Sequence, residues 1–185
     1  MELEYSKYIP KLIDFWKNNI RDNCHKINIT NEKLGSEFIF LLKESEKGNL
    51  LCWLNSKESY LAYIILTFYI SRMNYKKKNL YKNDYKSILF LEMGMENYID
   101  KLDLEELITI LSPYMYSEDI NHLFLVKNII VSRSRVNDNK IKILLFRLDN
   151  LISVLKKYGR FPERNNDLNR LSTEDEIDYL DILDN

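Results

Sequence analysis

Arginine is the residue type here whose spacing could make a site: Arg160, Arg164 and Arg170 fall in one short stretch, with Arg72 a candidate fourth. A guanidinium presents a planar fork of donors that grips a carboxylate or phosphate through two parallel bonds, and several converging would hold an anion. Asn165, and the amides opening the next predicted helix, would add donors. A plainer reading stands beside this one. Gly159 would cap a helix, Phe161 would plug the core, Pro162 would fix a turn, and the arginines would pair with Glu163, Glu118 or Asp119.

Other groups point to other chemistry. Tyr75, Lys76, Lys77, Lys78, Tyr81, Lys82, Tyr85 and Lys86 alternate rings and charges, as a surface for single-stranded nucleic acid does. Arg133, Arg135, Lys140 and Lys142 make a second basic patch. No nucleic-acid fold motif accompanies either, so solvated segments are the simpler reading and nucleic acid is not expected as a partner. Cys24 and His25 are adjacent, nothing at metal-ligand spacing completes a set, and His122 is isolated, so no metal and no cofactor is implied. No Ser-His-Asp arrangement, phosphate-binding glycine loop or HExxH occurs. Aromatic residues are abundant, with 13 Tyr, 8 Phe and 2 Trp. That is enough for some to line a groove after the core is filled. Trp53, Tyr69 and Tyr116 are the groove candidates, with Tyr60, Tyr63 and Tyr114 beside them.

The elements that must position these groups read as about eight helices, each with apolar residues three and four apart. Pro10 suits the first turn of a helix reaching Ile20. Asn31 can cap the next, with Leu34, Phe38, Leu41 and Leu42 on its apolar face, and Gly48 marks its stop. Ser56 can cap a long third helix that fades at Asn74, and residues 75–83 read as a loop. A fourth helix starts near Asp84, with Ile88, Leu91 and Met95 inward. Asp103 with Glu106 has capping-box spacing, and Pro113 is expected to end that fifth helix. Ser117 can cap a sixth, with Ile120, Phe124, Val126 and Ile130 inward. Asn137, Asp138 and Asn139 make a turn before a seventh helix, and Thr173 with Glu176 opens the last, which carries Ile177, Leu180 and Ile182. Short loops favour antiparallel neighbours.

Composition sets the frame. A chain of 185 residues with 45% hydrophobic and 30% charged residues fits a single all-α domain, residues 1–185, with its own core. Only 4 Gly and 3 Pro argue against a turn-rich β fold. With 27 basic and 28 acidic residues the net charge is −1, so the basic excess that polyphosphate binders carry is missing. Residues 1–11 lack a signal-peptide core, the apolar run 61–70 is too short to span a bilayer, and the two cysteines read as reduced thiols. A cytoplasmic protein without membrane attachment is expected. Heavy use of Lys, Asn, Ile and Tyr points to an AT-rich genome, viral ones among them.

The stretch Gly159-Arg160-Phe161-Pro162-Glu163-Arg164-Asn165, followed by Arg170 and Ser172-Thr173-Glu174-Asp175-Glu176, resembles the signature of domain-of-unknown-function family 924. Leu12-Ile13-Asp14-Phe15-Trp16, Trp53 with Leu61-Ala62, Arg72, Pro113 and Ser117-Glu118-Asp119 follow in the family's order. The resemblance implies a tetratricopeptide-like, right-handed stack of helices, and it supplies no activity. Four departures bear on function. Phe68-Tyr69 stand where the pattern has Asp-Gln, Met115-Tyr116 where it has Glu-His, and Leu151 and Glu163 where it has histidines. A chain with those changes keeps the arginines and lacks the groups that would move protons. The expectation is therefore a non-enzymatic interaction module for a peptide or a small acidic partner. The alternative is an anion-binding protein, or an enzyme, built on Arg72, Arg160, Arg164, Asn165 and Arg170. Oligomeric state is left open.

Overall fold

A helix apolar on all sides has to be buried on all sides, and the run 61–70 does this at the centre of the first half of the protein. The computed structural model describes residues 5–20, 35–76, 79–133 and 139–183, and these fall into two units, Met1–Pro113 and Tyr114–Asn185. The expectations placed on Cys24, His25, Asn31, Leu34, Lys77, Lys78, Arg135, Asn137 and Asp138 lie outside the described residues. Every regular element described is helical, and none is long and apolar enough to cross a membrane.

In the first unit, α1 (Ile9–Asn19), α2 (Ser36–Glu46) and α5 (Asp84–Tyr98) pack around one rod. That rod is α3 (Lys57–Ile64), a π-helix (Ile65–Ile70) and α4 (Ser71–Asn74) in succession. Ser56 caps it as expected, in a reciprocal box with Ser59. α2 ends at Gly48, whose φ of +85° suits glycine; Gly48 N donates to Ser45 O and Asn49 N to Glu44 O, a Schellman closure. Hydroxyl groups bond between buried helices. Trp16 Nε1 donates to Thr109 Oγ1 at 2.9 Å, and Tyr69 Oη and Ser112 Oγ lie 2.6 Å apart.

Two expectations shift. The buried stripe of α5 is Ser87, Phe90, Leu91 and Gly94, leaving Ile88 and Met95 half-buried. Small residues win the inner face because the Tyr60 ring lies against Gly94, where a Cβ would come within 2.3 Å of it. Pro113 does not end α6 (Leu104–Met115), which opens on the Asp103–Glu106 box and runs two residues beyond the proline. Burial of Ile110, Leu111, Tyr114 and Met115 outweighs the one backbone bond that proline cannot make.

The second unit holds α7 (Ile120–Arg133), α8 (Asn139–Tyr158) and α9 (Glu174–Leu183). Asp119, and not Ser117, accepts an amide at the start of α7; Ser117 Oγ instead bonds Tyr114 O and His122 Nδ1. Antiparallel pairing of α7 and α8 follows from two contacts, Lys127 to Asp149 and Lys156 over the Phe124 ring. Leu123, Val126 and Ile130 face Ile141, Leu144, Leu148 and Ile152 as buried stripes. Phe124, expected inward, sits beside that stripe, one residue on from Leu123, and is exposed.

Candidate functional site

The Gly-Arg-Phe-Pro loop leaves α8 at Gly159, whose φ of +71° lets its amide turn back to Leu155 O. Phe161 is buried, and Pro162 opens a single 3-10 turn, Pro162–Arg164. Two carboxylates organise everything around it. Glu118 accepts both Arg170 Nη1 and Nη2, at 2.7 and 2.9 Å, and the Phe161 amide at 2.9 Å. Burial alone would raise its pKa; the Arg170 fork, the Phe161 amide and the nearby Arg164 charge outweigh that and hold it below the ordinary range.

Glu176 is the second centre. Its oxygens accept Arg160 Nε and Nη2, both at 2.7 Å, the Asn165 amide at 3.2 Å and the Thr173 amide at 2.9 Å. The Arg160 bond is the main reason its pKa drops from 4.5 to about 2. Arg164 lays its guanidinium 4.7 Å over the Phe161 ring and is nearly buried. Arg160, Arg164, Asn165 and Arg170 are thus gathered on one loop, with two of the arginines in two-point contact with acids of the same chain. Arg170 Nε and Asn165 Oδ1 are buried without a hydrogen-bond partner.

Arg72 belongs to the first unit. Its Nη2 donates to Asp84 Oδ2 at 2.6 Å and its guanidinium stacks 3.6 Å over Phe68. Tyr75, Lys82 and Lys86 of the basic aromatic run are likewise engaged with the end of α2. Tyr75, Lys82 and Asn83 all donate to the Glu46 carboxylate, and Lys86 Nζ donates to the carbonyls of Ser45 and Glu46. A lysine there satisfies carbonyls that a helix end leaves open and meets its negative dipole end.

The groove reading of the aromatics needs correction. Trp53 is 2% exposed and Tyr69 1%, and Tyr60, Tyr63 and Tyr114 are also buried, so none offers surface to a partner. The rod they mostly sit on has no solvent face. Tyr116 is half-buried, and Arg147 donates to its hydroxyl and lies over its ring. Phe68, Tyr69 and Met115, three of the six residues in the departures noted above, are likewise core residues. Among the described residues no three His, Cys, Asp or Glu side chains group so as to hold a metal ion.

An exposed surface that periodicity missed lies on α7 and α8. Phe124, Lys127 and Val131 share one stripe of α7, which borders α8 because Lys127 reaches Asp149 and Lys156 covers Phe124. Lys142, Phe146 and Asp149 share the facing stripe of α8, with Ile143 beside them. Phe146 is 69% and Ile143 61% exposed, and Phe124, Leu125 and Val131 are exposed too. Charge distinguishes this surface. Together α7 and α8 carry Lys127, Arg133, Lys140, Lys142, Arg147, Lys156 and Lys157 against the single acid Asp149. Where α8 ends, Lys157, Tyr158, Arg160, Thr173, Asp175 and Glu176 line an open depression of about 390 Å³.

The fold and motifs now have relatives. The family described as "Bacterial protein of unknown function (DUF924)" matches residues 12–183. The chain belongs to that family. A solved structure, a protein of unknown function from Agrobacterium tumefaciens, is similar with a TM-score of 0.80 at 20% identity. The match covers 95% of this chain and 98% of that one. At that identity the likeness speaks for the fold alone. No curated protein matches. Membership covers both the arginine loop and the α7–α8 pair.

Proposed function

We propose that this family member is a non-enzymatic helical interaction module whose α7–α8 face docks an acidic partner that also carries apolar side chains. One observation carries the reading: exposed Phe124, Val131, Ile143 and Phe146 sit on a helix pair with seven cationic residues and one acid. Apolar surface rimmed by charge of one sign marks interaction sites, and the charge selects the partner and speeds the encounter. The departures of this chain support it. Phe68 and Met115 place buried apolar groups, and Tyr69 a buried hydroxyl bonded to Ser112, where proton-transfer groups would be needed.

The arginine-cluster alternative finds less support. An anion at the loop would have to displace Glu118 from Arg170 or Glu176 from Arg160. Arg170 Nε is a single N–H, whereas such a site needs several donors converging on the ligand.

A labelled acidic amphipathic peptide of unrelated sequence, titrated by fluorescence anisotropy, tests the module reading. Binding should weaken at least tenfold in Phe146→Asp and fall steeply between low and high salt. Absence of binding, or binding that Phe146→Asp leaves unchanged, would remove the proposal.

A further inference from the structure

The chain itself carries a helix with the chemistry this face selects. α9 holds Glu174, Asp175, Glu176, Asp178 and Asp181 and no basic residue. Ile177, Leu180 and Leu183 recur three apart on the flank next to the inward-facing Glu176, the arrangement of a helix meant to lie on an apolar surface. Yet Glu176 is the only buried residue of the helix. Ile177 and Leu183 stay exposed, and Ile182 is 75% exposed. A ten-residue helix is too short to be stable on propensity alone and ordinarily depends on packing.

Within one chain the contacts of α9 with the loop and the end of α8 include residues from its first turn to Tyr179. Arg160 and Asn165 hold Glu176, Tyr158 Oη donates to Asp175 O, and the Tyr158 and Tyr179 rings meet at 5.3 Å. These contacts place the start of α9 beside the C-terminal end of α8. The apolar seam Val131, Ile143 and Phe146 lies toward the other end of α8, more than two helical turns from Tyr158. Ile182 and Leu183 near the end of α9 and the residues of that seam are all exposed on the chain that carries them.

Building on the docking face proposed above, we infer that the acidic partner is α9 of a second copy, so that the protein forms a two-fold homodimer with α9 of each copy on the α7–α8 seam of the other. Charge complementarity selects the occupant: outside the Arg160–Glu176 and Lys127–Asp149 pairs, α9 carries four acids and no base, and α7 and α8 carry six bases and no acid. Two-fold symmetry also removes the size problem, since the same small contact is made twice. A head-to-tail use of the same surfaces would leave one of each uncovered and would grow into chains.

Sedimentation velocity over a concentration series provides the test. Wild type should sediment as a dimer whose dissociation constant rises at least tenfold from 50 to 500 mM salt. Ile182→Glu/Leu183→Glu and, independently, Phe146→Asp should each be monomeric with the helicity of wild type, because all three side chains point to solvent in the single chain. A wild-type monomer that still binds the unrelated acidic peptide through Phe146 would overturn the homodimer and leave the docking face standing. Loss of both would remove the two readings together. A dimer that survives both variants would place the interface elsewhere and overturn the inference.

Discussion

The two units bury their apolar residues in opposite ways. In Met1–Pro113 the largest side chains are interior: Trp16, Trp53, Tyr60, Tyr63, Phe68, Tyr69 and Phe90 are all essentially inaccessible. Tyr114–Asn185 is the shorter unit, yet among the described residues it exposes nine large apolar side chains to the first unit's five. Its loop is held by two arginine-carboxylate forks, where the first unit relies on stacked rings. The second unit leaves Phe124 and Phe146 outside, buries Phe161 and fixes its loop with Glu118 and Glu176. On the function proposed above, the difference would separate a scaffold from a docking surface on one chain.

Substitution of the buried against the exposed phenylalanine should break that comparison most sharply if it is wrong. Phe90 stacks 3.4 Å from Tyr63 and is 2% exposed, so Phe90→Ala should cost about 3–5 kcal/mol in urea denaturation. Gly94→Ala comes next. Its Cβ would meet the Tyr60 ring, which is tied by its hydroxyl to Leu91 O at 2.7 Å, and the overpacking should cost about 1–3 kcal/mol despite alanine's better helix propensity. In the second unit, Glu118→Gln should cost about 2 kcal/mol by unpairing Arg170, with the loss read from the same denaturation curves.

Acid should sharpen the contrast. Glu44, bonded first to Lys47 and then to Asn49, and Glu176, bonded to Arg160, are each lowered from 4.5 to about 2. A carboxyl lowered in the folded state stabilises it fully above its unfolded value, and that stability is lost as pH falls through the folded value. Helicity followed by circular dichroism should therefore hold to about pH 4.5 and decline toward pH 2. Arg160→Met should move the decline to higher pH through the second unit, and Lys47→Met through the first. The smallest effect is the most telling. Phe146→Ala should change stability by no more than about 0.5 kcal/mol, as at an ordinary surface site, while weakening peptide capture.

Much of this architecture was legible where the deciding interaction is local. Ser56, Asp103 with Glu106, and Thr173 with Glu176 each act at a helix start within three residues, so spacing alone identifies them. The π-helix was not legible, because the run 61–70 is apolar but for Thr67 and its spacing fits an ordinary α-helix as well. Of the arginines' partners, Glu118 was among the acids expected and does hold Arg170, 52 residues away, whereas Glu176, 16 residues from Arg160, was not, since no local pattern selects it. Trp53 and Tyr69 were read as groove residues because a ring's type does not say which side of a fully buried rod it occupies. Phe124 and Phe146 were missed for the converse reason. Apolar residues on a helix are expected inward, and only their exposure reveals another use.

The π-helix leaves a mark on the chain's history as well as on its shape. Ile65–Ile70 holds a widened turn, and a widened turn is what one surplus residue produces inside an otherwise regular helix. A single-codon deletion there, of Thr67 for example, would restore a straight α-helix and keep every other residue. It would also rotate the following segment by about 100°. Phe68 and Arg72 both follow Thr67 and would keep their four-residue spacing, so the ring contact would survive and any loss would fall on the pair Arg72 makes with Asp84 of another helix. Relatives sharing the arginine-aspartate pair should therefore share the extra residue too.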